Sequence, residues 1–196
     1  MLITATASRA AFVDAVLAEV GTGIITASDV GLARALGAHG LAPSGAAIGP
    51  EEVQRLVQAR LLVREAEQLE IGVPADAVDR AWQAVAERRG GLPALAAWLE
   101  RIGVSQDWAR RVVTDDLRRA RYVEVRFREF AFVSEFEVDE ALGPGEHAEP
   151  ARDAVRRRLL EAEVQRSLDE WLAETRERVQ VKLLMAAPVP VPFEMP

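Results

Sequence analysis

His39 and His147 are the only imidazoles in the chain, and there is no cysteine. Nucleophilic catalysis of the Ser/His/acid type needs an imidazole held between a hydroxyl and an orienting carboxylate. Both histidines fall in or beside Gly/Pro-rich stretches that read as loops, so no such arrangement is predicted. The absence of cysteine removes thiolate chemistry, disulfides and Cys-based zinc sites. One local cluster has ligand-type spacing, Glu146-His147-Ala148-Glu149, but it lies between Gly143-Pro144-Gly145 and Pro150. A solvated loop accounts for it better than a metal centre. Glu51-Glu52 and Asp115-Asp116 are carboxylate pairs at helical positions and read as solvated faces. Gly21-Thr22-Gly23 lacks the longer pattern that opens a phosphate-cradling helix, and it sits between two strand-like runs, so it reads as a hairpin turn. We predict no catalytic residue, no metal and no cofactor.

Charge points the same way. The 196-residue chain carries a net charge of −7, which argues against a general affinity for nucleic acid, where positive charge must displace counterions. The runs Arg110-Arg111, Arg118-Arg119-Arg121 and Arg156-Arg157-Arg158 are the exceptions. Acidic residues such as Asp107, Asp115, Asp116 and Glu124 alternate with the first two, and pairing across helix turns explains them. No stretch is long and apolar enough to span a bilayer. The first ten residues, MLITATASRA, lack the basic and long apolar regions of a secretory signal.

The aromatic residues remain. Trp82, Trp98, Trp108 and Trp171 fall on apolar helical stripes, and core packing is the plain account of most of them. A second account makes part of this set a grip for extended apolar polypeptide, because rings offer broad area at low entropic cost. The candidate client-binding residues are Trp82, Leu95, Trp98, Leu99, Trp108, Tyr122, Phe127, Phe130, Phe132 and Phe136.

These side chains need a scaffold. Residues 12–20 alternate as a strand, Gly21-Thr22-Gly23 reverses the chain, and Ile24-Ile25-Thr26 resumes it. Ser28 reads as an N-cap for a short helix over 29–38, followed by a mobile Gly/Ala/Pro loop over 40–49. Pro50 opens a long amphipathic helix with Val53, Leu56, Val57, Val63, Ala66 and Leu69 inward, stopped at Gly72. Helices follow over 75–89, 92–102 and, after the Ser105 cap, to 127. Ser134 and Glu137 form a capping box, with Val133 and Val138 as its staple. Gly143-Pro144-Gly145 ends that helix. The last helix covers 151–178, with Val155, Leu159, Ala162, Leu168, Trp171, Leu172 and Thr175 inward. Residues 179–183 alternate as a strand that pairs with the N-terminal hairpin. The Pro-rich tail over 187–196 reads as an extended, unpacked end, or alternatively as a filler of an apolar groove. The expected fold is therefore mainly α, with a small antiparallel β-sheet joining both ends of one domain over 1–186.

The order of segments resembles the N-terminal domain of the SurA-type periplasmic chaperones. VLAEVGTGIITASDV, LVQARLLVREAEQLEIGVPADAVDRA and LAAWLERIGVSQDWARRVV carry the resemblance, and FVSEFEVDEAL is similar to the family's lead into a parvulin prolyl-isomerase domain. The final helix and VQVKLL resemble its C-terminal return. Where the family inserts the isomerase, this chain has only GPGEHAEP over 143–150, a hinge. The resemblance implies an ATP-independent holdase that binds unfolded or extended polypeptides, without isomerase activity, in the periplasm or otherwise exported. The alternative is an adaptor subunit with one dedicated partner. Exchange of the last helix about the hinge would give a homodimer.

Overall fold

The computed structural model describes residues 14–145 and 148–193. The fold is mainly α. β1 (Val16–Val20) and β2 (Gly23–Thr26) form an antiparallel hairpin, with Gly21 supplying the left-handed backbone of the turn at φ +59°. A bulge between Val16 and Ala18 lets both Leu17 and Ala18 face inward. β3 (Val181–Leu183) pairs antiparallel with the other edge of β1, matching Ala18 to Leu183, Glu19 to Lys182 and Val20 to Val181. The strand order is β2-β1-β3, so the two ends of the domain meet as the spacing predicts. Phe12 and Val13, expected to open the first strand, lie outside the described residues.

α1 (Ala27–Leu36) is started by Thr26 rather than by the expected Ser28. Thr26 Oγ1 accepts from the Asp29 amide at 3.2 Å, and Asp29 Oδ2 accepts from the Thr26 amide at 2.9 Å. This reciprocal box outcompetes a lone serine, whose own amide donates to Asp14 Oδ1 at 3.0 Å. α2 (Pro50–Gln68), α3 (Ala75–Glu87), α4 (Leu92–Arg101) and α5 (Gln106–Arg126) follow. A single 3-10 turn (Arg128–Phe130) leads to α6 (Glu135–Leu142), started by the predicted Ser134/Glu137 box, and to α7 (Glu149–Val179). α7 extends one residue into the predicted strand. Gln180, at φ +57°, breaks it.

Three apolar clusters hold these elements. The first joins the sheet to α1, α2 and Leu172 of α7, around Leu17, Ile25, Val30, Val53 and Leu61. The second packs the opposite side of α1 on α3, α4 and α5, around Leu32, Trp82, Leu95, Trp98 and Val113. The third ties α2 and α5 to α7 through Leu62, Ala66, Tyr122, Phe127 and Val164. Two inward assignments are corrected. Leu69 lies past the end of α2 and is 56% exposed, while Ile71 turns back into the third cluster. On α7, Val164 rather than Ala162 reaches that cluster, and Ala162 is exposed.

The segment over 40–49 is tied down rather than mobile. Arg34, only 2% exposed, donates to the carbonyls of Ala46 at 2.6 Å, Ala47 at 3.2 Å and Ser44 at 3.3 Å. Its guanidinium also forks onto Glu52, with Nε to Oε1 at 2.5 Å. The Pro-rich tail is packed too. Val189 exchanges backbone hydrogen bonds with Ile48, at 2.7 and 3.1 Å, and Val191 and Phe193 lie on the core. Glu194, Met195 and Pro196 fall outside the described residues.

Candidate functional site

The residues with chemical potential are absorbed into the scaffold. His39 ends the turn after α1 in the left-handed region, at φ +56°, and is buried. Its amide donates to Asp116 Oδ1 at 2.9 Å. Burial lowers the imidazole to a pKa of about 4; Asp116 opposes this, while Arg119 and Arg60 add to it. His39 borders a cavity of about 250 Å³ between α1, α2 and α5, lined also by Asp29, Arg60, Trp108, Arg111 and Asp115. Arg60 and Asp29 pair across it at 3.4 Å, and no hydroxyl or thiol lines it. An imidazole kept neutral, with no nucleophile beside it, is poorly placed for acid–base work near pH 7.

The carboxylate pairs are not merely solvated. Burial pushes the Glu52 carboxyl up, but the Arg34 fork and the Gly49 amide outweigh it and hold it below the usual range. Asp116 takes the His39 amide and Arg119, the latter at 2.8 Å. Asp115 faces Arg118 at 3.0 Å, and burial raises its carboxyl despite that cation. For Glu52, and for the His39 amide on Asp116, sequence periodicity cannot show this, because those partners come from other elements; Asp115 with Arg118 and Asp116 with Arg119 are the pairs across a helix turn that the sequence leads one to expect. Among the described residues, no group of three or more His, Asp or Glu could hold a metal. The Glu146-His147 half of the predicted cluster lies outside them.

The ten candidate binding residues divide sharply. Trp82, Leu95, Trp98, Leu99, Tyr122 and Phe127 are core, each 6% exposed or less. Trp108 is half-buried at the edge of the cavity. Phe130, Phe132 and Phe136 are 75%, 78% and 74% exposed. The local backbone explains the division. α5 ends at Arg126, and Phe127 turns inward, with its ring 5.9 Å from Tyr122 and 6.1 Å from Trp171. Seven residues later the Ser134 box starts α6, whose Val138 is fully buried. With both anchors facing inward, the linker between them and the outer face of α6 turn their rings to solvent.

Ion pairs rim this aromatic surface. Arg128 bridges Glu124 at 3.0 Å and Glu161 at 2.7 Å. Arg152 bridges Glu135 at 2.8 Å and Asp139 at 2.5 Å, and Arg156 adds Glu135 at 2.7 Å. Phe130 also edges a cleft of about 270 Å³ lined by Arg126, Phe127, Trp171, Glu163, Glu170 and Glu174, in which Glu163 and Glu170 are both paired to Arg166. Three large rings exposed within seven residues offer a surface suited to apolar polypeptide. The chain is similar to the chaperone SurA. SurA of Bordetella pertussis is 31% identical over 152 residues, covering 74% of this chain and 29% of that protein. SurA of Bordetella bronchiseptica matches with the same figures. The chain thus spans less than a third of the length of these SurA relatives. No family model matches it.

Proposed function

We propose that this chain is a holdase-type chaperone. It binds unfolded or partly folded polypeptides through exposed apolar helical surface, without ATP and without isomerase activity. The exposure of Phe130, Phe132 and Phe136 carries the reading, and the similarity to the chaperone SurA supports it. Clients would bury apolar side chains on these rings at roughly 25 cal/mol per Å², less the cost of ordering both partners. Such binding is weak and broad. In this reading residues 1–186 act as one chaperone domain with a hinge over 143–150, and the protein works in the periplasm or another exported setting.

The rival reading is an adaptor with one dedicated partner. The compactness of the aromatic surface, three rings within seven residues, favours it. Exchange of α7 about the hinge would make that partner a second copy of this chain.

Suppression of aggregation separates the two. Several unrelated clients are followed by light scattering, with a prolyl-isomerisation assay in parallel. The holdase reading expects broad suppression and no isomerisation. The F130S/F132S/F136S variant should lose most of the suppression while melting within about 0.5 kcal/mol of the parent, since none of the three rings is buried. Suppression that survives intact in this variant removes the aromatic surface as the site. Failure on every client, with one tight partner, favours the adaptor.

A further inference from the structure

The segment over 189–193 sits in its groove as an extended ligand sits in a receptor. One antiparallel pair, Val189 with Ile48, fixes its register. Pro188, Pro190 and Pro192 carry no N–H, so the pairing cannot spread. Val189, Val191 and Phe193 alternate with them and turn inward, yet each remains only half-buried. Phe193 meets Trp98 edge-on, with ring centroids 6.3 Å apart and planes at 81°. It lies over Gly31, where an added Cβ would stand 2.9 Å from the Phe193 ring. A glycine inside a helix costs about 1 kcal/mol relative to alanine, and here the missing methyl is the space the ring fills.

Trp98 also lines a cavity of about 470 Å³ with Arg88, Arg89, Arg101, Pro43, Val85 and Ala94 among others. The Arg89 guanidinium stacks 3.9 Å from the Trp98 ring centroid. Arg88 donates to the Leu36 carbonyl at 3.1 Å, and Arg89 to that of Ala35. Among the described residues, no carboxylate pairs with any of the three arginines. The Trp98 indole Nε1 and one Arg89 Nη are buried without an acceptor, and Trp98 is only 4% exposed. Buried donors of this kind call for an acceptor. In sequence, Phe193 is followed by Glu194.

We propose that the groove covered by residues 189–193 is a second polypeptide site. It takes extended segments with apolar side chains at alternate positions, the last aromatic and followed by a carboxylate. The chain's own 189–193 segment is a tethered occupant that such a segment displaces. The proposal rests on the reading of the chain as a polypeptide binder only for its class of ligand. The site is distinct from the Phe130/Phe132/Phe136 surface.

The probe is a fluorescein-labelled peptide, acetyl-PVPVPFE-amide, with a PVPVPFQ control, titrated into the full chain. A tether of this kind competes at about millimolar effective concentration, so the intact chain should bind weakly. F193A should tighten probe binding by roughly tenfold or more. Because the chain has no cysteine, I48C/V189C can lock the tail by oxidation. The locked form should bind at least about tenfold more weakly than the same protein reduced. In the F193A background, R101Q should weaken the PVPVPFE probe several-fold and leave PVPVPFQ unaffected. Affinity that is unchanged by locking, or by F193A in a protein that still melts cooperatively, overturns the groove. Affinity indifferent both to R101Q and to the Glu/Gln exchange overturns the carboxylate subsite. A chain that rescues no client but shows the tail-dependent binding overturns the holdase reading and upholds this one. Client rescue without tail-dependent binding does the reverse.

Discussion

His39 connects one residue to solution pH. Its imidazole titrates at about 4 in the fold, against an ordinary value near 6.5, so the folded state holds it neutral. Unfolded chains take up this proton first as pH falls, and stability is lost progressively between about 6.5 and 4. The full effect is on the order of 3 kcal/mol. Thermal melts from pH 7.5 to 5 should show this fall. In H39N, where asparagine tolerates the left-handed backbone, they should show most of it gone. Arg34 is the other residue with molecule-wide consequences. Replacing it with Met leaves Glu52 and three loop carbonyls without their shared donor, at a cost of about 3–5 kcal/mol in urea unfolding. R34K should recover little, because an ammonium cannot fork onto Glu52 and reach the carbonyls together.

Among the elements, α1 is the most constrained. One face closes the first cluster and the opposite face the second, while its C-terminal carbonyls accept from Arg88 and Arg89. Guanidinium groups at that end also match the negative pole of the helix. Gly31 stands at the centre of this element. In an ordinary helix Gly→Ala adds about 1 kcal/mol of stability. Here G31A should lower it by a comparable amount, because the methyl and the Phe193 ring compete for one space. Combined with F193A, the same substitution should turn stabilising, and a double-mutant cycle of melts checks the change of sign. The junction between α5 and α6 follows a related logic. Phe127 and Val138 fix both of its ends inward, so the rings between them face solvent through geometry rather than hydrophobicity.

For the whole molecule, closure is the governing fact. β3 returns 160 residues after β1 and pairs with it, so the helices between are held in a loop stitched at the sheet. The Leu184 amide donates to the Leu17 carbonyl at 2.9 Å, beside the last strand pair. L184P removes that donor and should cost about 1–3 kcal/mol in denaturant unfolding, with one cooperative transition retained. Two transitions would mean that the ends fold independently of the helices they join.

Element types were legible from local signals. Pro50, the Ser105 cap, the Ser134 box and the β-branched runs around Gly21 each act within a few residues, and the apolar periodicity of α3 and α4 marks their buried faces. The strand character of the two ends was also legible from alternation, whereas their pairing was expected from the resemblance of the final segment to the family's C-terminal return. The candidate site was legible only in composition. Phe127 and Phe130 are alike in sequence, yet one is core and the other exposed, because the exit angle of α5 and the docking of α7 separate them. The burial of Arg34 and His39 went unread for the same reason, and the packing of the tail was legible only as one of two alternatives. Their partners, Glu52, Asp116, Ile48 and Trp98, are brought to them by packing, and burial of a charge or a ring is a property of the assembled volume rather than of neighbours along the chain.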